Sequence, residues 1–288
     1  MGGIRKKAVT EERSAYATKI KAYAALYRNP SDPVGEHRHE LGGINEGLFD
    51  NLPAAPAPGL VNVKWQIFQF SGYPEIITDA VDATNHMWVE ENVNDGAPLA
   101  LDTTVPGGAA KMVTDTGTND HYYYQAYQKL AKGQQGKDFW WEITLVPTGI
   151  GATLSGLFVG VCATVAMPDD IFGDRVDSIG FFNYYDGEDV GFEVRVGGVA
   201  QQASVSILRT AQLPGGQGVD FEDDVEIKLG FRYYSAGQQC AYYANDEYAG
   251  RIRVDAAAVM MPTTFGMITK EDAEKTLLIK HIVLGVEV

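Results

Sequence analysis

Residues 225–254, VEIKLGFRYYSAGQQCAYYANDEYAGRIRV, decide the fold. Within them the runs Val225–Tyr234, Cys240–Ala244 and Glu247–Val254 are rich in β-branched and aromatic residues, which favour strands. Apolar residues recur at every second position of the first run, as in a strand with one buried face. The pair Asn245-Asp246 separates the last two runs, and both residue types tolerate the positive φ of a tight hairpin turn. The stretch therefore predicts antiparallel strands joined by short turns.

The same alternation extends over most of the chain after residue 60. Asp186-Gly187 marks a second hairpin turn. No convincing helix of a dozen residues occurs between residues 60 and 262, and only Glu271–Lys275 predicts a single helical turn. Many short strands with glycine-rich loops predict an all-β body, an antiparallel β-sandwich or jelly roll. The further strand candidates are Val61–Phe70, Tyr122–Leu130, Phe139–Val146, Gly156–Ala166, Ser178–Tyr185, Val190–Val196, Ser204–Arg209 and Thr276–Val286.

The first 59 residues differ from this body. Thr10 can cap a helix over residues 11–28, which Asn29-Pro30 ends. An apolar stripe at helical spacing supports that helix; its members are Tyr16, Ile20, Tyr23, Ala24 and Tyr27. Residues 29–59 are rich in proline and glycine and keep no period, which predicts an extended arm. The chain is thus divided into an N-terminal helix and arm, residues 1–59, and a sandwich body, residues 60–288.

The formal net charge is −15, yet basic residues gather at the N-terminus. Against Glu11 and Glu12, residues 1–28 hold Arg5, Lys6, Lys7, Arg13, Lys19, Lys21 and Arg28. The body is therefore more acidic than the whole chain, and it repels nucleic acids and anionic membranes. No apolar run reaches the ~20 residues of a membrane helix, and no secretory signal is recognisable. We expect a soluble protein made in a cytoplasm, with neither nucleic acid nor membrane as partner.

Two cysteines and one acidic run invite a chemical interpretation. Cys162 and Cys240 lie in apolar runs without metal-ligand spacing, so we expect two buried free thiols. Glu222, Asp224 and Glu226 occupy alternate positions, which on a strand would place their carboxylates on one face. The same alternation predicts a buried face of Val225, Ile227, Leu229 and Phe231 and a wet face of Glu226, Lys228 and Arg232.

Two groups of residues carry side chains of the kinds that bind metal ions. Asp186, Glu188 and Asp189 offer hard oxygen ligands that suit calcium, but a charged hairpin tip explains them equally well. His37 and His39 lie in the arm without the further ligands of a structural zinc site. We therefore predict no metal and no cofactor.

From about residue 107 to residue 288, the order and spacing of several segments carry a resemblance. The segments are Thr116-Gly117-Thr118-Asn119-Asp120 before Tyr122–Leu130, then Lys137–Ile143, Leu157–Val161, Ser178–Phe182 leading to Tyr185-Asp186-Gly187, Lys228–Arg232, Tyr242–Glu247 and Leu277–Val286. Together they resemble the concanavalin A-like jelly roll of the kind found in phage virion proteins. The resemblance is one of fold and carries no single specific motif.

This resemblance implies a non-enzymatic structural protein of a phage virion, most concretely a capsid decoration or cement protein synthesised in the host cytoplasm. Its arm would lie on the shell of the major capsid protein, where basic side chains meet acidic groups and the helix stripe buries apolar area. Symmetric shells favour self-association, so a trimer or dimer is expected. A place in the tail or baseplate stays open. The anchoring residues would be Arg5, Lys6, Lys7, Arg13, Tyr16, Ile20, Tyr23 and Tyr27.

Two other functions stay open. The concanavalin A-like fold also carries glycoside hydrolases, in which alternate carboxylates flank the sugar, and Glu222, Asp224 and Glu226 would play that part. A lectin-like protein that binds a host-surface glycan is the other alternative, and an exposed aromatic platform would favour it. Tyr122 and Tyr124 should face the opposite way from Tyr123, and core packing explains such rings more simply.

Overall fold

The computed structural model describes residues 63–70, 76–77, 88–93, 97–106, 108–114, 116–117, 121–131, 137–150, 155–163, 177–184, 190–196, 199–200, 206–207, 221–235, 237–254, 261–269 and 271–287. The predicted helix over residues 11–28 and the arm lie outside these residues, as do the eight anchoring residues named above. Over the described ranges the regular elements are β-strands. No helix there is long and apolar enough to cross a membrane.

Seventeen strands are described in these ranges. In chain order they are β1 (Val63–Gln69), β2 (Ile76–Ile77), β3 (Trp88–Val93), β4 (Ala97–Asp102), β5 (Ala109–Val113), β6 (His121–Ala131), β7 (Phe139–Thr148), β8 (Ser155–Cys162), β9 (Ser178–Tyr184), β10 (Gly191–Val196), β11 (Val199–Ala200), β12 (Ser206–Ile207), β13 (Ile227–Tyr234), β14 (Gln239–Ala244), β15 (Glu247–Arg253), β16 (Met261–Thr269) and β17 (Thr276–Glu287).

The strands form two sheets. Sheet A has the order β15-β14-β13-β7-β17-β5-β4, and β1 pairs with the second half of β17. Sheet B has the order β11-β10-β9-β8-β16-β6-β3-β2, with β12 paired to β10. The pairings are antiparallel except that of β2 with β3. The predicted antiparallel β-sandwich is confirmed.

Aromatic side chains from both sheets fill the space between them. Phe192 of β10 lies 5.7 Å from Phe231 of β13 and 4.6 Å from Tyr242 of β14, measured between ring centroids. At the other end, Phe68 of β1 lies 4.5 Å from Trp88 of β3. All five rings are buried. Such rings contribute most of the apolar area that a core of this kind removes from water.

Two local predictions from the sequence, a hairpin turn and the alternation of side chains along a strand, agree with the structure. Asn245 and Asp246 both have positive φ, 49° and 67°, as the predicted hairpin turn requires. Tyr122 and Tyr124 belong to the core between the sheets, whereas Tyr123 is buried outside it. The predicted opposition of these tyrosines is therefore confirmed.

The predicted helical turn at Glu271–Lys275 is wrong. Lys275 exchanges two hydrogen bonds with Thr114: its N–H donates to Thr114 Oγ1 at 3.0 Å, and its carbonyl accepts from the Thr114 N–H at 2.9 Å. Thr269 Oγ1 donates to the Glu271 carbonyl at 2.9 Å. These bonds hold the segment in an irregular conformation before β17. They use the Lys275 N–H and the Glu271 carbonyl, which one helical turn would have joined to each other.

Candidate binding surface

The outer face of sheet A, the side turned away from sheet B, carries the densest group of charged and aromatic side chains described. On β13 the residues Ile227, Leu229, Phe231 and Tyr233 point into the core. Because side chains alternate along a strand, Lys228, Arg232 and Tyr234 point outward. Register places Arg232 between Trp140 of β7 and Ala241 of β14, and Ala241 beside Arg251 of β15.

Arg232 is buried on this outer face, contrary to the prediction of a wet position. Only 4% of the residue is exposed, because its guanidinium lies over the ring of Trp140 at 5.0 Å and over that of Tyr234 at 4.2 Å. Its Nη2 donates to Asp138 Oδ2 at 3.2 Å. Asp138 Oδ1 in turn accepts from the N–H and the hydroxyl of Ser235 at 2.8 and 2.9 Å. The burial of this cation is thus compensated by a hydrogen-bonded carboxylate.

Arg251 completes what we call the arginine–tyrosine stack, namely Arg232, Tyr234 and Arg251 together with Gln239. The Arg251 guanidinium lies 4.9 Å from the centroid of the Tyr234 ring, and its Nη1 donates to Gln239 Oε1 at 2.9 Å. Its Nε is buried and has no hydrogen-bond partner among the described residues. In the described part of the chain no carboxylate pairs with Arg251. The stack therefore holds one guanidinium in place without neutralising it.

A second polar cluster lies on the same outer face, toward the hairpin turn at Asn245-Asp246. Glu142 is buried and contacts two basic side chains, Lys228 through Nζ at 3.2 Å and His281 through Nε2 at 3.5 Å. Lys228 Nζ also pairs with Asp246 Oδ1 at 2.6 Å. Burial lowers the pKa of Lys228, but the attraction of Glu142 and Asp246 outweighs it, so that the pKa is raised overall. This cluster neutralises its own charges.

The three carboxylates considered for glycoside hydrolysis do not lie on a strand face. Strand β13 begins at Ile227, after all three of them, and Asp224 has a φ of 61° in the turn before it. Asp224 accepts a hydrogen bond from Thr148 Oγ1 at 2.7 Å, and Glu226 pairs with Lys280. The predicted shared strand face of Glu222, Asp224 and Glu226 is therefore wrong.

The turn also explains a second error. Val225 is 47% exposed instead of buried, because it precedes β13 and its side chain is not held in the alternation of that strand. The carbonyl of Glu222 accepts the Val225 N–H at 3.2 Å, which closes the turn. Because of this turn, the alternation of inward and outward side chains begins with β13 and does not include Val225.

Both cysteines are buried and free, as predicted. In the described ranges no three His, Cys, Asp or Glu side chains come together as metal ligands do. The loop residues Asp186, Glu188 and Asp189 lie outside these ranges, and so do His37 and His39. The predicted absence of a metal accordingly stays a prediction.

The outer face of sheet B combines glycines and phenylalanines with the paired side chains of Arg195 and Glu193. Phe158 and Phe182 are buried there, outside the core between the sheets. A Cβ added to Gly180 would lie 2.7 Å from Phe158 Cε2, so the ring covers that glycine. Phe182 covers Gly191 in the same way. Among the described residues no aromatic platform is exposed on either sheet, since Tyr234 and Tyr248 are only partly accessible.

No family model matches the chain, and no curated protein matches it in sequence. Solved structures do share its fold. The carbohydrate recognition domain of Emp47p superposes with a TM-score of 0.51 at 10% identity, over 77% of this chain and 97% of that domain. A peanut lectin bound to a nine-residue peptide superposes with a TM-score of 0.50 at 11% identity, over 78% of this chain and 98% of the lectin.

These likenesses show the fold of the protein: it is a concanavalin A-like β-sandwich. The fold that the sequence predicted is thereby confirmed. Neither solved structure is a phage protein by its description. The capsid-decoration function, the virion location and the shell partner accordingly stay predictions, because the residues that would carry them lie outside the described ranges.

Proposed function

We propose that the sandwich body is a non-catalytic carbohydrate-binding module, and that it binds through the outer face of sheet A at the arginine–tyrosine stack. The observation that carries this proposal is the bracing of Tyr234 by two guanidiniums, at 4.2 and 4.9 Å, beside the amide of Gln239. The likeness of the fold to a carbohydrate recognition domain and to a lectin supports it.

The stack offers the groups that saccharides need. Sugar hydroxyls both donate and accept hydrogen bonds, and a binding site fixes them with a few well-placed polar groups. Gln239 and Arg251 are partly exposed and provide an amide and guanidinium N–H groups, while Tyr234 adds a ring and a hydroxyl. Arg232 is buried beneath them and holds Tyr234 in position. A preorganised set of this kind loses little conformational entropy on binding.

The absence of catalysis is the second part of the proposal. A retaining glycosidase needs two carboxyl groups about 5–5.5 Å apart across the scissile bond. Asp224 is bonded to Thr148 and Glu226 to Lys280, in a turn and not across a groove. Product analysis of any bound glycan checks this part: an intact glycan is expected, whereas cleavage that is lost in Glu226→Gln would contradict it.

A glycan array probed with the full-length protein tests the binding part. We expect a saturable signal on a subset of glycans, and at least a tenfold loss of that signal in Tyr234→Ser. Lys111→Gln is the matched control, because Lys111 lies on β5 in the same sheet with four strands between it and β15. Thermal melting shows that each variant folds. No signal with the wild type, or an unchanged signal in Tyr234→Ser, would contradict the proposal.

The capsid-decoration prediction needs a separate experiment. Sedimentation of full-length protein and of a chain without residues 1–59, each with empty shells, would show whether the arm anchors the protein. Saturable binding of the full-length chain alone would support decoration. Binding of neither would remove its mechanism, and the glycan-binding proposal does not depend on this result.

A further inference from the structure

We infer that the ligand of the arginine–tyrosine stack is an acidic glycan, whose carboxylate is bound by Arg251. This inference rests on the proposed carbohydrate-binding function and names the chemical class of the ligand. The observation behind it is that Arg251 contacts Tyr234 and Gln239 and, among the described residues, no carboxylate.

Arg251 differs from the other cations described nearby. Arg232 pairs with Asp138 at 3.2 Å, and Lys228 pairs with Glu142 and Asp246 at 3.2 and 2.6 Å. Arg195, on β10, is likewise paired with Glu193 at 3.1 Å. Arg251 instead bonds a neutral amide, although the chain has 38 acidic residues against 23 basic ones. Among the described residues no carboxylate lies against Arg251, so we expect its charge to attract an external anion.

The geometry of the guanidinium defines how an anion would bind. Nη1 donates one of its two N–H groups to Gln239, and Nε is buried, which leaves the remaining N–H groups of Nη1 and Nη2 for an anion. Two N–H groups of a guanidinium match the two oxygens of a carboxylate, and such bidentate pairs are among the strongest hydrogen bonds in proteins.

The charge of the whole chain restricts the ligand further. A net charge of −15 repels long polyanions such as nucleic acids, whose phosphates extend far beyond a single site. A saccharide with one carboxylate per residue meets the stack locally, within the screening length of about 8–10 Å. Uronic acids and sialic acids are sugars of this class. Sulfated sugars offer a related oxyanion without the planar two-oxygen match.

Calorimetric titration of the full-length protein with matched pairs of probes tests the inference. Trigalacturonate is compared with its methyl ester, and sialyllactose with its methyl ester, because each pair differs in the carboxylate charge. A sulfated galactan oligosaccharide forms the third arm. We expect at least one acidic probe to bind at least tenfold more tightly than its neutral counterpart. That preference should disappear in Arg251→Gln and persist in Lys111→Gln.

The outcomes separate this inference from the proposed function. Equal binding of acidic and neutral probes that is lost in Tyr234→Ser would overturn the inference and leave the carbohydrate-binding function standing. The same holds if the acidic preference survives in Arg251→Gln, or if only the sulfated probe binds. If no probe binds and the glycan array is also blank, both the inference and the proposed function fail. Thermal melting of Arg251→Gln excludes unfolding as the cause of a loss.

Discussion

On the outer face of sheet B, Phe158 and Phe182 lie over glycines of neighbouring strands, whereas the outer face of sheet A carries Arg232, Glu142 and Lys228. Both faces are closely packed, but in different ways. Sheet B covers part of its surface with rings that lie over glycines, beside the ion pair of Arg195 and Glu193. Sheet A fills its surface with cations held over rings and against carboxylates.

The difference indicates which face can recognise a polar ligand. The polar groups described on the outer face of sheet B bond one another, Arg195 with Glu193 at 3.1 Å and Gln125 with Thr264 at 3.1 Å, and so offer a sugar little to hydrogen-bond. A face with braced arginine and glutamine side chains offers directed donors and acceptors. Sheet A therefore carries the proposed site, and sheet B is expected to serve stability alone.

The glycines of sheet B should be the least tolerant of change. In Gly160→Ala the added Cβ would collide with the Ile179 carbonyl oxygen and lie 2.6 Å from the Gly180 Cα, both of them backbone atoms. We expect a loss of about 3 kcal/mol in the free energy of unfolding, measured by denaturant titration. Gly237→Ala is the control, since its Cβ would meet only the Gln239 side chain at 3.6 Å or more. Equal stability of the two variants would contradict the packing described for sheet B.

On sheet A, the buried Arg232 should matter for stability as well as for the site. Arg232→Met removes the ion pair with Asp138 and should cost about 2 kcal/mol, because Asp138 keeps its two bonds to Ser235. Arg232→Lys should recover little of this loss, since an ammonium lacks the plane that lies over Trp140 and Tyr234. Full recovery in the lysine variant, measured in the same titration, would show that charge alone is needed.

Cys240 should make the protein sensitive to alkali. Burial raises the pKa of its thiol well above 9.0, so the folded state keeps the proton that the unfolded state loses. The stabilising contribution is complete below pH 9 and falls as the pH rises further. We expect the wild type to lose about 1 kcal/mol more than Cys240→Ala between pH 9 and pH 10. Parallel pH profiles of the two proteins would contradict the buried position of the thiol.

Lys228 should give the smallest effect, and at higher pH. Its raised pKa means that its contribution is complete below about pH 10.5 and is lost as the pH rises through the higher folded value. Lys228→Met should lower the free energy of unfolding by up to about 1 kcal/mol near neutral pH. The gap between wild type and variant should narrow above pH 10.5. A gap that stays constant to pH 12 would show that the packing of the lysine stem, and not its charge, is what counts.

The sequence predicted the sandwich because alternation and turn chemistry are local properties. It missed β16 for a physical reason: all nine residues of this strand are buried, and its polar residues, Thr263, Thr264 and Thr269, keep no period of two. Pro262 also lies within it, at a shift of register beside β6, which is one of the few places where a sheet accepts proline. The strands β3, β4 and β5 were missed too, and they are only five or six residues long.

The candidate surface was harder to predict than the fold. The alternation of side chains correctly predicted that Lys228 and Arg232 lie on the outer side of β13. It wrongly predicted that Arg232 is exposed to water there. Arg232 is buried because register brings it beside Trp140, from a strand some ninety positions earlier in the chain. The stack with Arg251 likewise depends on the pairing of three strands. A motif within one run of sequence cannot contain such an arrangement.

Hydrogen–deuterium exchange of the full-length protein, with and without the acidic glycan that binds best in the titrations, tests whether the ligand binds on the outer face of sheet A. The account predicts that peptides from β13 to β15, within residues 227–253, become more protected, while those of β8, β9 and β10 in sheet B do not change. Protection confined to the sheet B strands, or no change in any peptide of residues 227–253, would contradict the assignment of binding to the outer face of sheet A.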